Sequence, residues 1–79
     1  MSTEEILEWL SELFNEPKGS ISLETLREDI PEWDSLGALT LMAEMDEKFG
    51  VVLSNSELDS LSAVSDIMEV LRKNDKIAS

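Results

Sequence analysis

Residues 32–50 read EWDSLGALTLMAEMDEKFG, and this segment predicts an amphipathic helix with a defined start and stop. Asp34 is a residue type favoured at the N-cap, and Gly50 suits the left-handed position that ends a helix. Between them, apolar residues recur at the spacing of one helical face. That stripe comprises Ala38, Leu41, Met42, Met45 and Phe49. We therefore expect a helix over about residues 35–49 with one face buried.

The amino end predicts another amphipathic helix, over about residues 3–15. Ser2 and Glu5 have the spacing of a capping box, and acidic residues crowd the first turn, where the helix dipole favours them. The apolar side chains fall on one side of this helix: Ile6, Leu7, Trp9, Leu10, Leu13 and Phe14. The polar side chains fall on the other: Glu4, Glu5, Glu8, Ser11 and Glu12. Because the separation is complete, the apolar side is expected to pack in the core.

The segment that joins these two helices, residues 16–34, shows no sustained apolar period. Leu23, Leu26 and Ile30 are the side chains expected to attach it to the core, and Ser22 can cap a brief helical turn. Pro31 disfavours helix at the residue before it. A connection of this length is unusual in so small a domain and is typical of function or mobility.

Two shorter helical segments follow Gly50. Ser54 and Glu57 form a second potential capping box, which predicts a short helix over residues 55–61 with Leu58 and Leu61 inward. A last helix is predicted over residues 62–73, burying Ala63, Val64, Ile67, Met68 and Leu71, with a frayed tail at 74–79. The predicted fold is all-α: a single domain over residues 1–79, with three longer helices, one short third helix and a long first loop.

The chain lacks two residue types on which most catalytic sites depend. It contains no cysteine and no histidine. These absences exclude a disulfide, a Ser-His-Asp triad, a Cys-His pair and the usual zinc sites. No stretch has the acidic pattern of a calcium loop either. We therefore predict no catalytic residue and no metal site, and a protein that is not an enzyme.

The charge balance is strongly acidic, with 18 acidic and 6 basic residues and a formal net charge of −12. Such a surface repels nucleic acid and anionic lipid and favours basic protein surfaces, although acidity can also serve solubility alone. No apolar run approaches a membrane span, and the amino end lacks the signal-peptide pattern. A cytoplasmic monomer without nucleic-acid or membrane partners is expected.

Leu36 does not fit the core stripe of the segment 32–50. Leu36 projects to the side that holds Thr40, Glu44 and Glu47, next to Ser35 at the helix start. An exposed leucine in this position suggests a contact patch. Single exposed leucines are nevertheless common, and serine near a helix start is ordinary capping chemistry.

Read together, Asp34-Ser35-Leu36 opening an amphipathic helix after a long loop resembles the attachment motif of acyl carrier proteins. The similarity extends over about residues 5–72. It includes the apolar pattern of the second helix and the entry to the last one: Leu39, Met42, Met45, Phe49, Leu53, Leu61, Ala63 and Val64.

The resemblance implies a division of labour between this chain and other enzymes. A phosphopantetheinyl transferase would attach 4′-phosphopantetheine to Ser35, and the arm would hold acyl intermediates as thioesters. Asp34 would help the transferase to hold magnesium. Acyl-loading and acyl-processing enzymes with basic docking patches would meet a partner-facing surface formed by Leu36, Thr40, Asp46, Glu47, Glu57 and Asp59.

The chain departs from the carriers of fatty-acid synthesis where those usually have acidic residues after the serine. Here these positions are Gly37 and Thr40, and Gly37 should weaken the first helical turn by up to about 1 kcal/mol relative to alanine. The string around Ser35 looks more like stand-alone carriers of one specialised pathway. Two alternatives stay open: an aminoacyl or peptidyl carrier, including the D-alanyl type, and a helical adaptor that never carries an arm. Met42, Met45 and Met68 could shelter a cargo or simply pack a small core.

Overall fold

The computed structural model describes residues 2–76 and contains four α-helices in that range. Helix α1 spans Thr3–Leu13, α2 spans Ser35–Phe49, α3 spans Asn55–Ser60 and α4 spans Val64–Lys73. A 3-10 turn, Arg27–Asp29, lies in the first loop. Residues 2–76 contain no strand beyond an isolated bridge between Leu26 and Ala63. The predicted all-α class, with a short third helix and a long first loop, is confirmed.

The helix caps are those that the local sequence specifies. Ser2 and Glu5 form a reciprocal capping box at α1, and Ser54 and Glu57 form another at α3. At α2, the Asp34 carboxylate accepts the Gly37 N–H at 2.9 Å. Gly50 ends α2 with a φ of 67°, the left-handed conformation that glycine adopts most readily.

Three helix ends differ from the prediction by one or two residues. Helix α1 ends at Leu13 instead of residue 15, because Asn15 has a φ of 54°, which an α-helix does not contain. Helix α3 ends at Ser60, since Leu61 is extended. Helix α4 begins at Val64 instead of Ser62, because the Asp66 carboxylate accepts the N–H groups of Ser62 and Ala63 and holds both residues outside the helix.

The core is built from one face each of α1, α2 and α4. Its fully buried members are Ile6, Leu10, Phe14, Leu41, Met45, Val64, Ile67 and Leu71. Ala38 is also buried, while Met42 and Phe49, which the stripe predicted as core, pack half-buried against it. Removing these apolar faces from water is what stabilises the arrangement of short helices.

Two expectations about burial were wrong. Ser11 was assigned to the polar side of α1 but is buried; its hydroxyl donates to the Leu7 carbonyl at 2.9 Å, which satisfies it inside the protein. Leu23 and Leu26 were expected to attach the first loop to the core but are exposed. Backbone hydrogen bonds to the start of α4 hold this stretch instead, from Arg27 to Ser62 and from Val64 to Thr25.

The buried side chains of the first loop are Ile21, Ile30 and Trp33, of which the pattern predicted only Ile30. At its start, the Thr25 N–H donates to the Ser22 carbonyl and closes a turn. At the other end of the chain, Lys76 N–H donates to the Leu71 carbonyl at 2.9 Å, so the described part of the tail, residues 74–76, continues in a hydrogen-bonded turn. Residues 77–79 of the predicted frayed tail lie outside the described residues.

Candidate functional site

Ser35 is exposed and is the first residue of α2. The N-cap residue Asp34 takes the Gly37 N–H with its side chain and the Ala38 N–H with its carbonyl, at 2.9 and 2.8 Å. The N–H groups of Ser35 and Leu36 have no acceptor among residues 2–76. The Ser35 hydroxyl therefore lies at the positive end of the helix dipole, beside two unpaired backbone donors.

The residue before this N-cap anchors the site to the core. Trp33 is only 3% exposed, and its ring stacks on Phe14 with centroids 5.2 Å apart and planes 17° apart. The Arg27 Nε donates to the Trp33 carbonyl at 3.2 Å, and its guanidinium lies 5.8 Å from the centre of the indole. Both ring and backbone of Trp33 are thus held, and the chain enters α2 along a fixed path.

Gly37 allows the first loop to approach α2 very closely. A Cβ atom at this position would lie 1.8 Å from the carbonyl oxygen of Glu32 and 3.0 Å from its carbonyl carbon, which no packing tolerates. The glycine is required by this backbone contact. The low helix propensity of glycine is therefore only one of the two effects that Gly37 has on the stability of this turn.

The six residues predicted to face partners are all exposed. Leu36 is 73% exposed, which places it well outside the core as its position on the helix predicts. The Thr40 hydroxyl donates to the Leu36 carbonyl at 3.1 Å. Within the described range, no hydrogen bond or ion pair joins Ser35 to the four acidic members, Asp46, Glu47, Glu57 and Asp59.

Glu57 is exposed and also caps the start of α3. Its carboxylate accepts the Ser54 backbone N–H at 3.0 Å, and this bond, with the Ser54 side chain, lowers the pKa of Glu57. Two further apolar residues are exposed that the sequence did not assign to a surface: Leu39 at 50% and Val52 at 75%.

An open cavity of about 630 Å³ lies between the first loop and the segment joining α3 to α4. Its lining includes Arg27, Ile30, Trp33, Asp59 and Leu61. Trp33 thus connects the cavity wall with the entry to α2, and Asp59 brings one of the predicted partner-facing acids to its rim. The cavity is open to solvent, and its wall mixes apolar and charged side chains.

Comparison with known proteins identifies the family to which the chain belongs. The chain is 32% identical over 74 residues to the acyl carrier protein of Renibacterium salmoninarum, covering 89% of this chain and 91% of that protein. It is also 32% identical over 74 residues to the acyl carrier protein of Myxococcus xanthus, covering 89% and 94%. The chain belongs to the acyl carrier protein family.

The fold comparison agrees with this assignment. The holo acyl carrier protein of Geobacter metallireducens, solved in solution, superimposes on the chain with a TM-score of 0.74 and 26% identity, covering 92% of this chain and 85% of that one. No protein-family model matches the chain. The resemblance that the residues around Ser35 suggested is therefore confirmed at the level of the acyl carrier protein family.

Two functional groups lie at the start of α2 in this acyl carrier protein: the hydroxyl of Ser35 and the carboxylate of Asp34. Among residues 2–76 there is no cluster of three or more acidic, histidine or cysteine side chains that could hold a metal ion, and no helix long and apolar enough to span a membrane. The Asp34 Oδ1 atom is occupied by the Gly37 N–H. What the site presents is the exposed hydroxyl of Ser35.

The packing roles of three residues at this site were missed by sequence reasoning: Arg27, Trp33 and Gly37. For Trp33 a signal existed, because an apolar residue just before an N-cap commonly packs toward the fourth helical residue, here Ala38. Both residues are buried in the same core cluster. For Arg27 and Gly37 no local pattern exists, since their contacts depend on the path of the loop.

Proposed function

We propose that Ser35 carries a covalent 4′-phosphopantetheine arm, which holds acyl intermediates as thioesters and presents them to partner enzymes. The observation that carries this proposal is the exposed Ser35 hydroxyl at the first position of α2, in a chain of the acyl carrier protein family. The arm supplies the thiol for thioester chemistry, which a chain without cysteine does not have.

The residues around Ser35 fit such a group. A phosphodiester on the hydroxyl would lie beside the unpaired N–H groups of Ser35 and Leu36, and the helix dipole favours negative charge at this end. Ser35 is exposed, so neither the arm nor the transferase needs the core to open. The rigid entry through Trp33 fixes the backbone from which the arm would leave.

Asp34 fits the supporting role during arm transfer. Only its Oδ1 atom is engaged, by the Gly37 N–H, and the other oxygen forms no hydrogen bond within residues 2–76. This free oxygen is the one we assign to magnesium held by the transferase. Asp34 would then combine two tasks, capping α2 and orienting the metal of another enzyme.

The partner-facing surface combines one apolar contact with dispersed acidic residues. We assign Leu36 as the apolar anchor and Thr40, Asp46, Glu47, Glu57 and Asp59 as its surroundings. A net charge of −12 favours basic docking patches and fast, salt-sensitive association. The absence of acidic residues at positions 37 and 40 is the reason we favour a carrier of a specialised pathway over the housekeeping one. The runner-up is an aminoacyl carrier, which shares this serine and differs in how it is loaded.

The deciding experiment is intact mass spectrometry after incubation with coenzyme A, magnesium and a broad-specificity phosphopantetheinyl transferase. We expect one arm on the wild type and none on Ser35→Ala. Folded wild type that takes no arm would favour the helical adaptor, which also predicts that Ser35→Ala keeps full biological activity. A second experiment separates the aminoacyl carrier from the acyl carrier. The holo form is incubated in one sample with amino acids, ATP and adenylating enzymes, and in another with acyl-loading enzymes. An aminoacyl carrier is loaded in the first sample and an acyl carrier in the second.

A further inference from the structure

Glu32 is an exposed residue between two buried anchors of the first loop. Ile30 and Trp33 are each 3% exposed, and the Trp33 N–H donates to the Ile30 carbonyl at 3.0 Å. Pro31 restricts the backbone inside this turn. Because Arg27 also holds the Trp33 carbonyl, the backbone of Glu32 has little freedom to move.

This turn places Glu32 directly on the first turn of α2. Its carbonyl oxygen occupies the space where a side chain at position 37 would begin, since a Cβ there would lie 1.8 Å away. The first turn of α2 contains no acidic residue of its own. The backbone of Glu32 is therefore packed against the first turn of α2, and its exposed side chain leaves the loop three residues before Ser35.

The Glu32 carboxylate is free to meet a partner. Its side chain is exposed and forms no hydrogen bond or ion pair within residues 2–76. The neighbouring turn carries Ser35 and the exposed Leu36. Resting on the carrier function proposed above, we propose that Glu32 is a docking residue that a basic surface of the phosphopantetheinyl transferase contacts when it acts on Ser35. The docking surface thus includes a residue that precedes the serine.

The test compares Glu32→Gln with Glu24→Gln, a matched control. Glu24 is an exposed acid of the same loop, but its neighbours Leu23 and Thr25 bond to the start of α4 and not to α2. Arm transfer to each apo protein is followed by intact mass to obtain KM for the carrier and kcat. Binding of the apo proteins to the transferase without coenzyme A is followed by NMR chemical shifts, and thermal unfolding of each variant is recorded.

We expect Glu32→Gln to raise KM about two- to five-fold at low salt with kcat unchanged, because a single rim charge mainly affects association. The difference should vanish near about 0.5 M salt, where exposed charges are screened. Glu24→Gln should keep the wild-type KM, and Glu32→Asp should restore most of the loss. In the binding experiment, the Glu32 signal should shift in the wild type.

The outcomes separate this inference from the carrier function. Arm addition with equal KM values for Glu32→Gln and Glu24→Gln overturns the docking role of Glu32 alone. A lower melting temperature of Glu32→Gln with an unchanged KM also overturns it, since the residue would then be structural. A folded wild type that accepts no arm overturns the carrier function and this inference together.

Discussion

At the residue scale, Gly37 shows two physical effects of opposite sign in one position. Glycine in a helix interior is less favourable than alanine by about 1 kcal/mol because it loses more backbone entropy on folding. Against this, the Glu32 carbonyl lies where an alanine Cβ would be. A contact of 1.8 Å demands that the loop, the helix or both move. Steric repulsion must therefore outweigh propensity.

We expect Gly37→Ala to destabilise the protein by about 1–3 kcal/mol, the range for overpacking a fixed site. Ala43→Gly is the matched control, because Ala43 is exposed in the same helix and should lose about 1 kcal/mol by propensity alone. Urea unfolding measures both. If Gly37→Ala is more stable than the wild type by about the amount that Ala43→Gly loses, the Glu32 carbonyl does not pack against Gly37.

The two tryptophans differ in whether the indole N–H has a hydrogen-bond acceptor. Both are buried and each has a ring partner 5.2 Å away, Phe49 for Trp9 and Phe14 for Trp33. The Trp9 Nε1 donates to Glu44 at 2.8 Å, whereas the Trp33 Nε1 is buried without an acceptor in the described part of the chain. A buried unpaired donor costs about 1–3 kcal/mol.

Trp33→Phe should therefore cost less stability than Trp9→Phe, by about 1 kcal/mol, since it removes a donor that has no partner. Trp9→Phe instead leaves the Glu44 carboxylate without its hydrogen bond. Chemical unfolding of the two variants in parallel measures the difference. Equal losses, or a larger loss at Trp33, would mean that stacking on Phe14 dominates over the unpaired N–H.

At the element scale, short helices depend on interactions beyond their ends. Helix α3 has 6 residues, and its capping box satisfies N–H groups that so short a helix leaves unpaired. The entry to α4 depends on a single carboxylate. Asp66 accepts the Ser62 N–H, the Ser62 hydroxyl and the Ala63 N–H within 3.0 Å. Since the first loop also bonds to this segment, Asp66 fixes two elements at once.

Asp66→Asn should lower stability near neutral pH by about 1 kcal/mol, because hydrogen bonds to a charged acceptor are stronger than those to a neutral amide oxygen. The Ser62 N–H, followed by the Ser62 hydroxyl and the Ala63 N–H, holds the pKa of Asp66 below its ordinary value. A lowered folded-state pKa contributes stability above the unfolded-state pKa, and that stability is lost as the pH falls through the folded-state value. The gap between wild type and Asp66→Asn should therefore shrink in acid.

Urea unfolding at neutral pH and again at about pH 3, below the ordinary pKa of an aspartate, checks this dependence. Asp59→Asn serves as the control, because the Asp59 side chain is exposed and forms no hydrogen bond or ion pair within residues 2–76. A stability gap for Asp66→Asn that stays constant across this range would show that the carboxylate charge is not what holds the start of α4.

At the scale of the whole molecule, uncompensated negative charge opposes the compact state. The net charge is −12, and the two ion pairs formed among residues 2–76, Lys18–Glu8 and Arg72–Glu69, are both exposed. Such pairs contribute little to stability. Repulsion among the remaining acids is screened by salt over a distance of about 10 Å at 0.1 M. The excess of negative charge thus lowers the stability of the folded protein.

Added sodium chloride should accordingly raise the melting temperature between low salt and about 0.5 M. The double variant Glu12→Gln with Glu24→Gln, at two exposed positions, removes charge directly. It should melt higher than the wild type at low salt and respond less to added salt. Calorimetry measures both. A melting temperature that is flat or falls with salt would show that charge repulsion is not a significant part of the stability balance.

The amino-acid sequence by itself determined the elements whose signals are local. The bounds of α2, the caps at Ser2, Asp34 and Ser54, and the stop at Gly50 follow from interactions within three or four residues, which a sequence displays directly. The exposure of Ser35 and Leu36 follows in the same way, from their position at a helix start off the apolar stripe.

Only the tertiary structure decided how the first loop meets the helices. The burial of Ser11 and Trp33, the exposure of Leu23 and Leu26, and the contact between Glu32 and Gly37 depend on where a segment without periodicity runs. That path is set by packing against residues distant in the chain, such as Phe14, and by backbone hydrogen bonds to the start of α4. Such contacts leave no regular spacing in the sequence, because they join residues that are close together only in the folded structure.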